Sequence, residues 1–106
     1  MLSLPNSKIL RLSKPSEQDL HNIAAYTSRN WGNTQKKIYI NKIMNDLEIL
    51  CQMPSLGYAR DELSSGLRAY MIEQHIVYYR ESKTQIIVIR ILHEKMDSEQ
   101  HLSQLK

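Results

Sequence analysis

The residues best equipped for chemistry form a basic set in the second half of the chain: Arg60, Arg68, Arg80, Arg90, His93 and Lys95. Metal-free cleavage of an RNA phosphodiester asks for such a set. It needs a base for the 2′-hydroxyl, an acid for the leaving oxygen and cations for the charged phosphorane. Arg68, Arg80 and Arg90 would clamp phosphate, and His93 would be the acid. Two features oppose this. Residues 54–64 carry one basic residue, Arg60, beside the acidic Asp61 and Glu62, whereas each phosphate contact wants a cation. Arg90 can also pair with Glu73 or Glu81 across strands, and His93 can satisfy a chain end or pack beside Trp31.

Other chemistries are less well supplied. His21, His75, His93 and His101 show no ligand spacing on one element, and a zinc site needs three or four converging ligands. No metal and no cofactor are expected. His21 reads as a solvent-facing helix residue and His75 as a turn residue. Cys51 lies on an apolar helix face beside Leu47 and Leu50, where packing outweighs nucleophilic use. The tyrosines and Trp31, with no Phe in the chain, could stack on bases. They fit core and rim positions better, where a hydroxyl reaches water; Tyr70 is the least settled of them.

The elements that must position these groups follow from periodicity. Lys8 to Ser13 alternates apolar and polar residues and reads as a short strand. Pro15 can open a helix, with Ser16 and Asp19 offering a capping pair. Leu20, Ile23, Ala24, Thr27 and Trp31 then mark one helical face up to the stop at Gly32. A second helix over about Thr34–Gln52 carries Ile40, Ile43, Met44, Leu47, Leu50 and Cys51 on one side, and Pro54 ends it. The short link between the helices predicts an antiparallel hairpin. Residues 53–66 read as a surface loop. Strands follow at about Leu67–Glu73, His75–Glu81 and Gln85–His93, joined by turns at Glu73-Gln74 and Ser82-Lys83-Thr84.

The last strand is apolar on both parities, as expected of an interior strand with both faces covered. One helical hairpin covers one face of a small sheet. The other would expose Ile86, Val88 and Leu92 around Arg90, next to Tyr70, and an exposed apolar patch marks an interaction site. A partner chain is expected there.

Composition bounds the rest. A chain of 106 residues suits a single domain over residues 1–106, with 1–7 and 102–106 as flexible ends. Its 42% hydrophobic content supports a folded core. The mean hydropathy of −0.47 and the absence of a run of about 18 apolar residues oppose a membrane span. Pro5, Asn6 and Lys8 make the start a poor signal peptide. One cysteine excludes an internal disulfide and fits a reducing compartment, so a cytoplasmic location is expected. A net charge of +3, spread along the chain, suits an acidic protein partner at least as well as RNA.

An ordered set of short motifs adds a family resemblance. It runs through Asp19-Leu20, Trp31-Gly32, Met53-Pro54-Ser55-Leu56-Gly57, Arg60-Asp61-Glu62-Leu63, Gly66-Leu67-Arg68 and Val77-Tyr78-Tyr79-Arg80. It closes on Val88-Ile89-Arg90-Ile91-Leu92-His93-Glu94-Lys95-Met96-Asp97. Over roughly residues 10 to 101 the chain resembles the ParE branch of the RelE/ParE toxin superfamily, the toxin half of bacterial toxin–antitoxin pairs. The resemblance implies an α+β, RelE/ParE-like fold: a strand, a helical hairpin and a three-stranded antiparallel meander that the first strand joins.

It also implies the toxin of a type II toxin–antitoxin system that binds DNA gyrase and stabilises its cleaved complexes, with no catalytic residues of its own. The implied antitoxin is ParD-like, acidic and partly disordered. Its binding segment would lay a helix into a groove or add a strand to a sheet edge. No direct sequence-specific DNA contact by the toxin is expected. Candidate partner-binding residues are Arg60, Arg68, Tyr70, Tyr79, Arg80, Ile86, Val88, Arg90, Leu92 and His93. The alternative is a RelE-like metal-independent mRNA endoribonuclease using Arg68, Arg80, Arg90 and His93. A second is an inactive toxin that only binds antitoxin.

Overall fold

The computed structural model describes residues 7–96 and 98–102. Of the expected end segments, residues 1–6 and 103–106 lie outside the described residues, as does Asp97 of the closing motif. Strand β1 (Ile9–Leu12) leads into helix α1 (Lys14–Trp31). The helix starts at Ser13, whose hydroxyl accepts the Ser16 N–H at 3.1 Å, and Pro15 occupies the first turn. The expected Ser16–Asp19 cap is therefore displaced to Ser13, and Asp19 is used elsewhere. Gly32, at φ 89°, links α1 directly to α2 (Asn33–Gln52). That left-handed value is open to glycine at little cost, and it folds the helices back on one another.

After α2 come a 3-10 turn (Pro54–Leu56), a two-residue strand β2 (Tyr58–Ala59), β3 (Arg68–Ile72), β4 (His75–Glu81), β5 (Gln85–His93) and a short helix α3 (Ser98–Leu102). The five-stranded sheet has the order β1-β5-β4-β3-β2. The α+β class and helical hairpin agree with expectation. Three details differ. The loop over 53–66 contributes β2, α3 extends the chain past the last strand, and β1 runs parallel to β5. Parallel neighbours need a crossover connection, and here the helical hairpin and meander together supply it, so the sheet is mixed.

Register explains the core. Tyr78 pairs with Arg90 but Tyr79 pairs with Val88, which leaves Ile89 as a bulge residue in β5. The bulge shifts the inward parity, so that Ile86 and Val88 before it and Ile91 after it join one core. That core also holds Ile43, Leu47, Leu50 and Cys51 of α2, with Val77 and Tyr79 of β4. Ile86 and Val88 are thus fully buried under the helices, not displayed to a partner. Leu92 lies on the other face but is buried as well, in a second cluster with Leu63, Leu67, Tyr78 and Leu102. The second face, expected to be open, is therefore closed. A loop and α3, which carry no strong periodic signal, cover that face.

Candidate functional site

Most members of the basic set hold the fold together. The Tyr79 hydroxyl donates to the Pro54 carbonyl at 2.6 Å and accepts the Gly57 N–H at 3.0 Å, so this buried ring anchors the turn after α2. Arg68 donates to the Ser55 carbonyl at 3.2 Å and to the Gly57 carbonyl, fastening the same turn. Arg80 donates to the Ser64 hydroxyl, and Arg60 pairs with Glu62 at 2.5 Å. Tyr70 is half-buried against the main core.

Arg90 is not paired with Glu73 or Glu81. Its Nε and Nη2 donate to the two carboxylate oxygens of Asp19 at 2.8 and 2.9 Å, and one of these oxygens also accepts the Ile91 N–H at 2.9 Å. The reason lies in the sheet. β1 ends opposite Val88, so β5 becomes an edge above that row and its backbone needs another acceptor. The α1 carboxylate supplies it, and the planar guanidinium completes a bidentate pair.

His93 stands apart from the other members. It lies level with His75 and Ile72, whereas Arg68 lies level with Tyr79. Four residues of strand separate the two rows, roughly 13 Å at about 3.3 Å per residue. The proposed phosphate clamp and acid therefore do not converge as a site built from Arg68, Arg80, Arg90 and His93 would require. Among the described residues no group of three or more His, Cys, Asp or Glu is placed to hold a metal ion. Nor is any helix there long and apolar enough to cross a membrane.

What the fold does build is a groove of about 1030 Å³ between the tip of the helical hairpin and the β3–β4 turn. Its walls include Tyr26 and Trp31 of α1, Ile38 of α2, and Met96 after β5. All four are exposed, Trp31 to 70%. Trp31 is on the helical face expected to be buried, but it sits in the last turn of α1, past the part that reaches the sheet. Arg29 adds positive charge to the walls, where Lys42 pairs with Glu73 at 3.6 Å.

The floor of the groove holds a cluster that sequence reading missed. The rings of His75 and His93 meet edge to face at 5.3 Å between centroids, and the Tyr39 hydroxyl lies 2.6 Å from His75 Nδ1. Burial is the main cause that holds His75 below the ordinary histidine range; nearby His93 adds to it, and Asp19 and Glu94 pull the other way. Burial likewise raises Tyr39, whose hydroxyl shares a hydrogen bond with the His75 ring. The backbone N–H of Lys95 donates to His93 Nδ1 at 3.1 Å. Cross-strand pairing of His75 with His93 could have been read from the hairpin spacing. The contribution of Tyr39 from α2 could not.

Comparison with known proteins agrees with this architecture. Residues 10–98 match the family described as the ParE toxin of the type II toxin–antitoxin system, parDE. Toxin ParE1 of Caulobacter vibrioides is 30% identical over 95 residues, covering 90% of this chain and 98% of that protein. Toxin ParE of Escherichia coli is 33% identical over 87 residues, covering 81% and 84%. In the solved structure of the chromosomal ParDE system of Pseudomonas aeruginosa, a chain superposes with a TM-score of 0.72 at 19% identity, covering 83% of this chain and 97% of that one. The RelBE2 toxin–antitoxin complex of Mycobacterium tuberculosis gives a TM-score of 0.53 at 20% identity, covering 82% and 98%. On the family match and the relatives' identity over nearly its whole length, this chain belongs to the ParE toxin family of type II toxin–antitoxin systems.

Proposed function

We propose that this toxin works by docking and not by bond-making: it binds DNA gyrase, stabilises the cleaved-DNA complex and arrests growth. A cognate ParD-like antitoxin neutralises it by laying an amphipathic segment into the groove at the hairpin tip. The observation that carries this reading is a contrast within one molecule. Arg68, Arg80 and Arg90, the cations a nuclease would need, are engaged in holding loops and the sheet edge. Trp31, Tyr26, Ile38 and Met96, by contrast, stand exposed around a concave site. Exposed aromatic and methionine side chains in a groove favour an apolar helix face, and Arg29 on its wall favours an acidic chain. A cytoplasmic location follows from that target and belongs to the same proposal.

The test begins with expression with and without the antitoxin. Growth arrest that the antitoxin relieves is the expected result; no arrest would make the chain an inactive, antitoxin-binding module. Purified toxin is then added to gyrase and, separately, to messenger RNA with and without ribosomes. Loss of supercoiling with accumulation of cleaved complexes supports the proposal. RNA cleavage in the absence of gyrase would replace it with the nuclease reading.

A further inference from the structure

The cations of this chain are spread along its length, but the acids are not. Residues 20–45 contain Arg29, Lys36, Lys37 and Lys42 and no Asp or Glu. Outside this span the acidic residues outnumber the basic ones, so the net charge of +3 originates there. The fold places the span in the distal part of the helical hairpin. Arg29 is in the last turn of α1, and Lys36 and Lys37 stand just past the Gly32 link in α2. At about 1.5 Å per residue all three lie within roughly 8 Å of that link along the helix axes. Lys42 is paired with Asp46 and Glu73. Among the described residues Arg29, Lys36 and Lys37 have no ion pair, in contrast to Lys8, Arg60 and Arg90.

The local fold gains nothing from the two lysines. They stand at the N-terminal end of α2, where the helix dipole already places positive charge and a cation is unfavourable. That end has no side-chain cap and no acid in its first turn, so nothing there offsets the charge. Helical spacing also sets the cations on both sides of α2. Ile38 and Lys42 line the larger groove with Arg29, whereas Lys36, Lys37 and Ile40 line a smaller one of about 370 Å³ on the opposite side. A peptide segment seated in the larger groove reaches Arg29 but not the two lysines. A broad polyanion laid across the tip meets all three. We propose that the hairpin tip is a contact surface for the phosphate backbone of duplex DNA, held by Arg29, Lys36 and Lys37 and reading no base sequence. The choice of DNA rests on the docking reading of this toxin: a protein that stabilises a cleaved-DNA complex then touches the DNA as well as the enzyme.

The test uses the purified chain alone, so it can fail while gyrase inhibition stands, and the reverse. A fluorescently labelled duplex is titrated with toxin at about 50 to 200 mM salt and followed by anisotropy. Three phosphate contacts give a slope of log K against log salt of about −2.7, so affinity should fall roughly 40-fold over that range. Lys36→Gln with Lys37→Gln should bring the slope to about −0.9 and the fall to roughly three- to fourfold. If circular dichroism shows that this pair does not fold, Arg29→Gln decides, with a slope of about −1.8. Lys14→Gln with Lys83→Gln removes the same charge at the start of α1 and in the β4–β5 turn, and should leave the slope unchanged. Unlabelled duplex should displace the probe more readily than single-stranded RNA or polyglutamate at equal charge concentration. Absence of binding at 50 mM salt up to roughly 10⁻⁴ M toxin, or equal slopes in the tip and control variants, would overturn the proposal. So would stronger competition by RNA or by polyglutamate, which would assign the tip to RNA or to an acidic protein instead.

Discussion

The Asp19–Arg90–Ile91 junction offers a sharp discrimination between a structural and a catalytic arginine. Asp19 is 8% exposed and accepts three hydrogen bonds there, two from the guanidinium and one from the backbone. Asp19→Ala strips all of them at once. Breaking a buried ion pair by removing one partner costs about 3–5 kcal/mol. The Arg90 side chain is 26% exposed, so water recovers part of that loss and the pair is worth less than a fully buried one. The orphaned Ile91 N–H, which is buried, contributes about 1–3 kcal/mol by itself. Together these place Asp19→Ala at about 2–4 kcal/mol of lost stability. Arg90→Ala, which leaves the carboxylate its backbone donor, should cost somewhat less, with a coupling energy of about 1–2 kcal/mol in the double mutant. Urea unfolding followed by circular dichroism measures each corner of the cycle, at unchanged m-value. A loss under about 1 kcal/mol for Asp19→Ala, or additive single mutants, would show that the junction does not brace the sheet edge. If Arg90→Ala abolished growth arrest at full stability, the arginine would belong to the target site instead.

Other perturbations test separate parts of the account. A methyl group on Gly57 would meet the Tyr79 hydroxyl and, at 2.7 Å, the Ala69 carbonyl oxygen, so Gly57→Ala should cost about 1–3 kcal/mol, read from the urea midpoint. Leu102 is 1% exposed, and Leu102→Ala should lose about 2–5 kcal/mol; an unchanged midpoint would mean that α3 does not seal the second face. Trp31→Ala should leave stability within about 0.5 kcal/mol, because the ring is exposed. It should weaken antitoxin binding by roughly tenfold or more in calorimetry, as expected for an aromatic anchor, and undiminished affinity would remove the groove from the proposed docking site.

Much of the architecture is legible in the chain because the signals are local. Ile43, Leu47, Leu50 and Cys51 repeat at helical spacing and do form the buried side of α2. Pro15, Gly32 and Pro54 act where their backbone restrictions predict, and the two-residue turn at Glu73-Gln74 closes the β3–β4 hairpin. Cys51 packs in the core as its neighbours suggest. The expected exposed patch does not form because alternation along β5 is interrupted. A bulge at Ile89 changes which residues face inward, and a bulge is set by pairing with β4, not by the strand's own composition.

The ordered motifs of the sequence carried the family resemblance, and its local signals alone determined the helical hairpin and the meander, since caps, turns and apolar periods act over a few residues. The sequence also supplied the basic residues without saying what each one holds. Only the tertiary structure decided that Arg90 belongs to Asp19, 71 positions away, that α3 and a loop cover the second face, and that Tyr39 reaches His75. Those are contacts between elements distant along the chain. They depend on register, on where β1 stops, and on which unsatisfied backbone group a nearby side chain can reach, and none of these leaves a periodic trace in the amino-acid order.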